Sequence, residues 1–206
     1  MSAWLFSRSS MGTGSDVLQL IFFNRSSCMY RLRCLNTTDD YDLTLRDSVV
    51  FTENSYTFII SCNPSTSHIT IRIGCIASLD ITTPPTLPAI TIPDNCTYRI
   101  NLAALFRGYT NLKTIGNALD SLIPHDSHID VIESMFEDCA LLYEANIMNR
   151  LRLPKLKNAF CAFYGCRSLT GMYDFLVDVR RRRKTVDITG IIYGSSYDSD
   201  DYRWRH

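Results

Sequence analysis

One stretch of the chain gathers the residue types that hold a metal ion: His125-Asp126-Ser127-His128-Ile129-Asp130. Two imidazoles and two carboxylates within six residues have the donor chemistry of a zinc site. A polar turn between two apolar segments, ending in a helix N-cap at Ser127 or Asp130, accounts for the same residues without a ligand. No metal site is assigned on this basis. Gly12-Thr13-Gly14 follows no strand, has no third glycine at the right offset, and is not completed by Lys-Ser or Lys-Thr, so it does not form a phosphate cradle. Neither a Gly-x-Ser-x-Gly elbow nor a His-Glu-x-x-His pair occurs, and the four scattered histidines supply no evident general base. The expectation is a non-enzymatic protein with no catalytic residue, no cofactor and no metal. The remaining chemical feature is the basic run Arg180, Arg181, Arg182, Arg183 and Lys184, a candidate contact for an acidic or phosphate-bearing partner. Its alternative is a solvated face neutralised by Asp198, Asp200 and Asp201.

These features sit on a chain of balanced charge. Lys plus Arg number 21, as do Asp plus Glu, and the pI is near 6.9. Such a chain exerts no long-range pull on nucleic acid or anionic membrane, so nucleic acid is not an expected partner. No run approaches the eighteen or so apolar residues of a membrane span. Met1 to Arg8 lacks a basic start followed by a sustained apolar run, so no conventional secretory signal is expected. The eight cysteines (Cys28, Cys34, Cys62, Cys75, Cys96, Cys139, Cys161 and Cys166) lie largely among apolar neighbours and read as small buried hydrophobes with reduced thiols. In that setting the sequons at Asn24, Asn36 and Asn95 are coincidental.

The elements that position these groups change character along the chain. Residues 1–15, rich in Ser and Gly, are expected to form an N-terminal arm. From 16 to 97, short β-branched and aromatic runs alternate with turn signals, which predicts an antiparallel β-sandwich or small barrel. Thr82 to Pro88, with three prolines, punctuates its end. Residues 98–195 then repeat themselves. Leu105-Phe106-Arg107-Gly108-Tyr109-Thr110-Asn111-Leu112 is echoed by Met135-Phe136-Glu137-Asp138-Cys139-Ala140-Leu141-Leu142 and by Ala162-Phe163-Tyr164-Gly165-Cys166-Arg167-Ser168-Leu169. The three phenylalanines stand 30 and 27 residues apart. Self-similarity at this period signals stacked units that each bury their apolar face only against a neighbour. The apolar spacing in each copy predicts a short helix stopped at Gly108, Asp138 or Gly165, then an extended piece. Thr185 to Tyr193 is expected as a capping strand, and 196–206 as an irregular tail.

The rhythm of aromatic-x-x-Cys-x-x-Leu resembles the BspA-type leucine-rich repeat, whose units often read Met-Phe-x-x-Cys-x-x-Leu. Met135 to Cys139 matches it best. Phe163 to Leu169 follows closely, and the first copy departs with Tyr109 in place of Cys. The resemblance covers residues 98 to 195 and implies a short, irregular array of about three units. Its core would be Phe106, Leu112, Met135, Phe136, Cys139, Leu142, Phe163, Cys166 and Leu169. The repeat aromatic Phe160 also reads as core. The fold expectation is therefore α+β, a β-sandwich or barrel followed by a leucine-rich array. The resemblance further implies recognition or adhesion. Joined to the missing export signal, this gives the leading expectation of a bacteriophage virion structural protein, capsid- or tail-associated. It would be made in the host cytoplasm, self-associate as a homo-oligomer, bind other virion proteins and meet a host surface receptor. The alternatives are an extracellular cell-surface adhesin and a cytoplasmic protein-binding module.

Overall fold

A computed structural model describes the strand backbones at 5–11, 15–24, 27–36, 50–52 and 55–59, and then residues 69–75, 79–84, 86–87, 89–91 and 97–197. Cys62, Cys96, the glycine-rich Gly12-Thr13-Gly14 and the tail beyond 197 lie outside the described residues. The strands are β1 (Leu5–Met11), β2 (Ser15–Asn24), β3 (Ser27–Asn36), β4 (Val50–Thr52), β5 (Ser55–Ile59), β6 (Ile69–Cys75), β7 (Ala89–Thr91), β8 (Tyr98–Asn101) and β9 (Ile129–Val131). A six-stranded sheet has the order β1-β2-β3-β6-β8-β9, and β4-β5-β7 form a second sheet. Pairing from β1 through β6 is antiparallel, whereas β6, β8 and β9 are parallel to one another, as are β5 and β7. Residues 5–11, expected as part of an arm, pair with β2 from Leu5↔Ile21 to Met11↔Ser15. Serine is tolerated on such an outer strand because one edge of it needs no packing partner.

Beyond β6 the chain winds in successive rungs. The first column of pairing runs through Asn101, Val131, Asn158 and Asp187, and the second through Thr114, Glu144 and Thr170, all parallel. Between the columns the sequence predicts short helices, and the structure has tandem turns instead. The cause lies in the backbone. Each unit places two residues in the left-handed region: Ala104 and Gly108, Ser134 and Asp138, Cys161 and Gly165, Gly190 and Gly194. No α-helix survives a left-handed residue every fourth position.

The N–H groups accordingly split between two destinations. Those of Leu105, Met135, Ala162 and Ile191 donate three residues back, to Leu102, Ile132, Ala159 and Ile188. The alternate ones cross to the next rung: Phe106 to Met135, Phe136 to Ala162 and Phe163 to Ile191, each at 2.8 Å. Every buried donor needs a partner, and this alternation provides one without helix. Asx turns start the units, the N–H of Ala103, Phe160 and Thr189 donating to Oδ1 of Asn101, Asn158 and Asp187.

The winding also contains a unit that the sequence reading missed. Thr185 to Tyr193 was expected as a capping strand; instead Asp187 to Ser195 repeats the internal turn bonds of Asn158 to Cys166, with Ile191, Tyr193 and Ser195 donating three residues back. Ile192-Tyr193-Gly194-Ser195 stands 29 residues after Phe163-Tyr164-Gly165-Cys166, with Ile for Phe and Ser for Cys.

Three return segments connect the second column back to the first. Return one contains the 3-10 helix Asp120–His128, return two the single-turn α1 (Ile147–Arg150), and return three α2 (Tyr173–Arg181). Helix α2 was not anticipated, although Met172, Phe175, Leu176 and Val179 follow the i, i+3, i+4, i+7 pattern of one buried face. Among the described residues no helix is long and apolar enough to cross a membrane.

Candidate functional site

The nine residues from Phe106 to Leu169 expected as the repeat core are buried, none more than 1% exposed, whereas Phe160, also expected in the core, is 38% exposed because the turn points it outward. Phe106, Phe136 and Phe163 stack in one column, with ring centroids 5.5 and 5.3 Å apart and interplanar angles of 19° and 15°. The edge of Phe175 on α2 closes that column against Phe163. Beside the rings, the Cys139 thiol donates to the Phe106 carbonyl and the Cys166 thiol to the Phe136 carbonyl, each at 3.0 Å. These two and Cys161 carry free thiols.

Burial pushes the Cys139 thiol up from 9.0 to about 12, and it pushes Cys166 higher still. The nucleophilic form is the thiolate, so neither residue is a candidate nucleophile. A folded-state value above the unfolded one means that protonation favours the fold. The contribution is complete below pH 9.0 and is lost progressively as pH rises towards about 12. Urea unfolding at pH 7 and pH 10 tests this. The wild-type midpoint should fall more than that of Cys139→Ser, whose hydroxyl does not titrate in the range; equal falls in the two proteins would refute it.

The remaining candidates from the sequence do not converge on one centre. His125 is held structurally. Its Nε2 donates to the Ile90 carbonyl at 2.8 Å, which leaves Nδ1 to accept from the Tyr98 hydroxyl at 2.8 Å. His128 donates from Nδ1 to the Tyr98 carbonyl and stacks on the Tyr98 ring at 3.9 Å. The Asp126 carboxylate accepts from the Arg152 N–H. Among the described residues no three His, Cys, Asp or Glu side chains are grouped to hold a metal ion. In the basic run, Arg182 turns inward, paired with Asp178 and donating to the Leu153 carbonyl at 2.7 Å. Arg181, Arg183 and Lys184 are exposed at the end of α2 and just beyond it, while Arg180 is half-buried.

What the sequence did not reveal is an open cavity of about 370 Å³ on the side of the stack where the returns rejoin the first column. It is lined by Tyr98 and Arg99 of β8, His128 and Asp130 at β9, Pro154 to Lys157, and Thr185. The Arg99 Nε donates to the Thr70 hydroxyl at 2.8 Å, and its Nη1 lies 3.6 Å from Oδ2 of the buried Asp130. Desolvation raises the Tyr98 phenol above its ordinary 10.0, so it remains a neutral donor to His125. Charged contacts lash the returns together: Arg150 to Asp120 at 2.6 Å, and Arg182 to the Leu153 carbonyl. The arrangement can bind, since it offers cations and an apolar wall. No protein-family model, no curated protein and no solved structure matches the chain.

Proposed function

We propose that the protein is a non-enzymatic interaction protein, a structural component of a virion, in which residues 98–195 form a BspA-type leucine-rich-repeat-like array that serves as an attachment surface. The observation that carries this reading is the stacked Phe106, Phe136 and Phe163 column within a ladder of rung-to-rung hydrogen bonds. Such a stack makes a stiff scaffold. It spends its apolar residues internally and leaves the chemistry-bearing side chains in rows outside, as with Arg107 and Glu137 paired at 3.1 Å across two rungs. Exposed Tyr173, Tyr193, Tyr143 and Leu141 add aromatic and apolar contact points of the kind that protein interfaces use.

The test is the light-scattering mass of the full chain, with free thiols counted in the same preparation and sedimentation alongside particles from the producing host. The expected result is a defined oligomer with unpaired cysteines that travels with the particles. A monomer with paired cysteines would overturn the virion reading in favour of an exported adhesin. A reduced monomer absent from particles would point to a free binding module.

A further inference from the structure

The cavity beside β8 and β9 combines groups that the scaffold does not need. Lys155 and Lys157 are exposed, and no side-chain partner holds either one. Arg99 donates its Nε to Thr70 and holds Nη1 3.6 Å from Asp130, with no hydrogen bond from Nη2 among the described residues. His128 uses Nδ1 on the Tyr98 carbonyl and keeps Nε2 free. Against the three cations Arg99, Lys155 and Lys157 stands one lining carboxylate, that of Asp130, which is 6% exposed and sits 3.6 Å from Arg99. The groove is therefore a local concentration of positive charge on a chain whose net charge is zero. Pro154, Leu156 and the Tyr98 ring supply apolar surface between the charged groups.

We propose that this groove binds an acidic peptide segment of a partner protein, with carboxylates meeting Arg99, Lys155 and Lys157 and an adjoining apolar side chain lying along Pro154 and Leu156. The proposal deepens the reading of the protein as an interaction module and names the kind of partner that the surface takes. Two considerations select peptide carboxylates over a simple phosphate. Phosphate sites recruit converging backbone N–H groups. Here those of Lys157 and Asn158 are already spent on the Asp130 carbonyl, and that of Asp187 on the Lys157 carbonyl. The cavity is also open rather than closed around one small ion, as a passing chain segment requires. Its lining comes from the ends of three successive returns, His128, Pro154 to Lys157, and Thr185, so one ligand would bridge several rungs.

The experiment uses the full chain and a fluorescein-labelled hexaglutamate peptide, read by fluorescence anisotropy. Binding should weaken with added salt, since screening acts on exposed charges. The Lys155→Glu/Lys157→Glu variant alters exposed residues only and should lose affinity by about tenfold or more, the scale expected when interfacial charges are reversed. Lys113→Glu, at an exposed position away from the groove, should bind as wild type. No binding of hexaglutamate would overturn the proposal. So would a loss confined to Arg181→Glu/Lys184→Glu, which would assign binding to the end of α2. Inorganic phosphate displacing the peptide at equal ionic strength would show a simple oxyanion site and would likewise overturn it. None of these outcomes touches the oligomeric mass or particle association, so failure here is distinguishable from failure of the virion reading.

Discussion

Replacing Phe136 with alanine is expected to destabilise the protein by about 3–5 kcal/mol, the range for emptying a buried aromatic site. Phe136 is fully buried, and the rings of Phe106 and Phe163 stack on its two sides. For a chain of this size each kcal/mol moves the melting temperature by about 2–4 °C, so a fall of roughly 6–20 °C should be seen. Phe136→Leu retains most of the volume and should lose less than half as much. Equal losses for the two substitutions would show that the ring column is not what holds the middle rungs together. Because rungs contact only their neighbours, a break at Phe136 separates the array into halves. Loss of binding in that variant would therefore not locate a binding surface.

The second large effect is expected at Gly165, where two turns of adjacent units meet. Gly165 has φ 72°, and a Cβ there would lie 2.8 Å from Oδ1 of Asp138. Asp138 occupies the equivalent position one unit earlier, with φ 62°. A left-handed residue with a Cβ costs about 1–2 kcal/mol, and Gly165→Ala adds the collision with Asp138 to this. Asp138→Gly should be neutral or slightly stabilising, since it relieves the same backbone strain. In the double variant the collision disappears, so its loss should be smaller than the sum of the single effects by at least about 0.5 kcal/mol. Urea unfolding of the four proteins measures this coupling. Strict additivity would mean that the Asp138 side chain simply swings away.

How far these features could be read from the sequence depended on which physical signal each one leaves. The ring column was legible because identical residues recur 30 and 27 residues apart, and stacking requires that recurrence. The tandem turns were not legible as turns. Leu102, Leu105 and Phe106 have the spacing of a helical face, and the same spacing serves a double turn. The discriminating residues, Ala104, Ser134 and Cys161, adopt positive φ without being glycine, so nothing in their type announced it. The last unit was hidden because Ile192 and Ser195 stand in for Phe and Cys, although Tyr193-Gly194 repeats Tyr164-Gly165. The groove was beyond reach for a different reason. It is assembled from four short pieces between residues 98 and 185, and none of them is a motif by itself.

The three returns differ in length and in kind, a 3-10 helix, a single helical turn and a nine-residue helix, yet the two pairing columns keep their register across all of them. Lengthening a surface connection is cheap, each doubling costing about 0.6 kcal/mol in closure entropy. Selection can therefore rewrite the exposed residues of the returns, and with them the walls of the groove, while their buried faces, Phe175 among them, stay packed on the core. For the proposed groove, change of ligand is thereby uncoupled from change in whether the protein folds. A lineage under pressure to meet new partners should accumulate its insertions and charge swaps in 116–128, 146–157 and 171–186, and keep its rings.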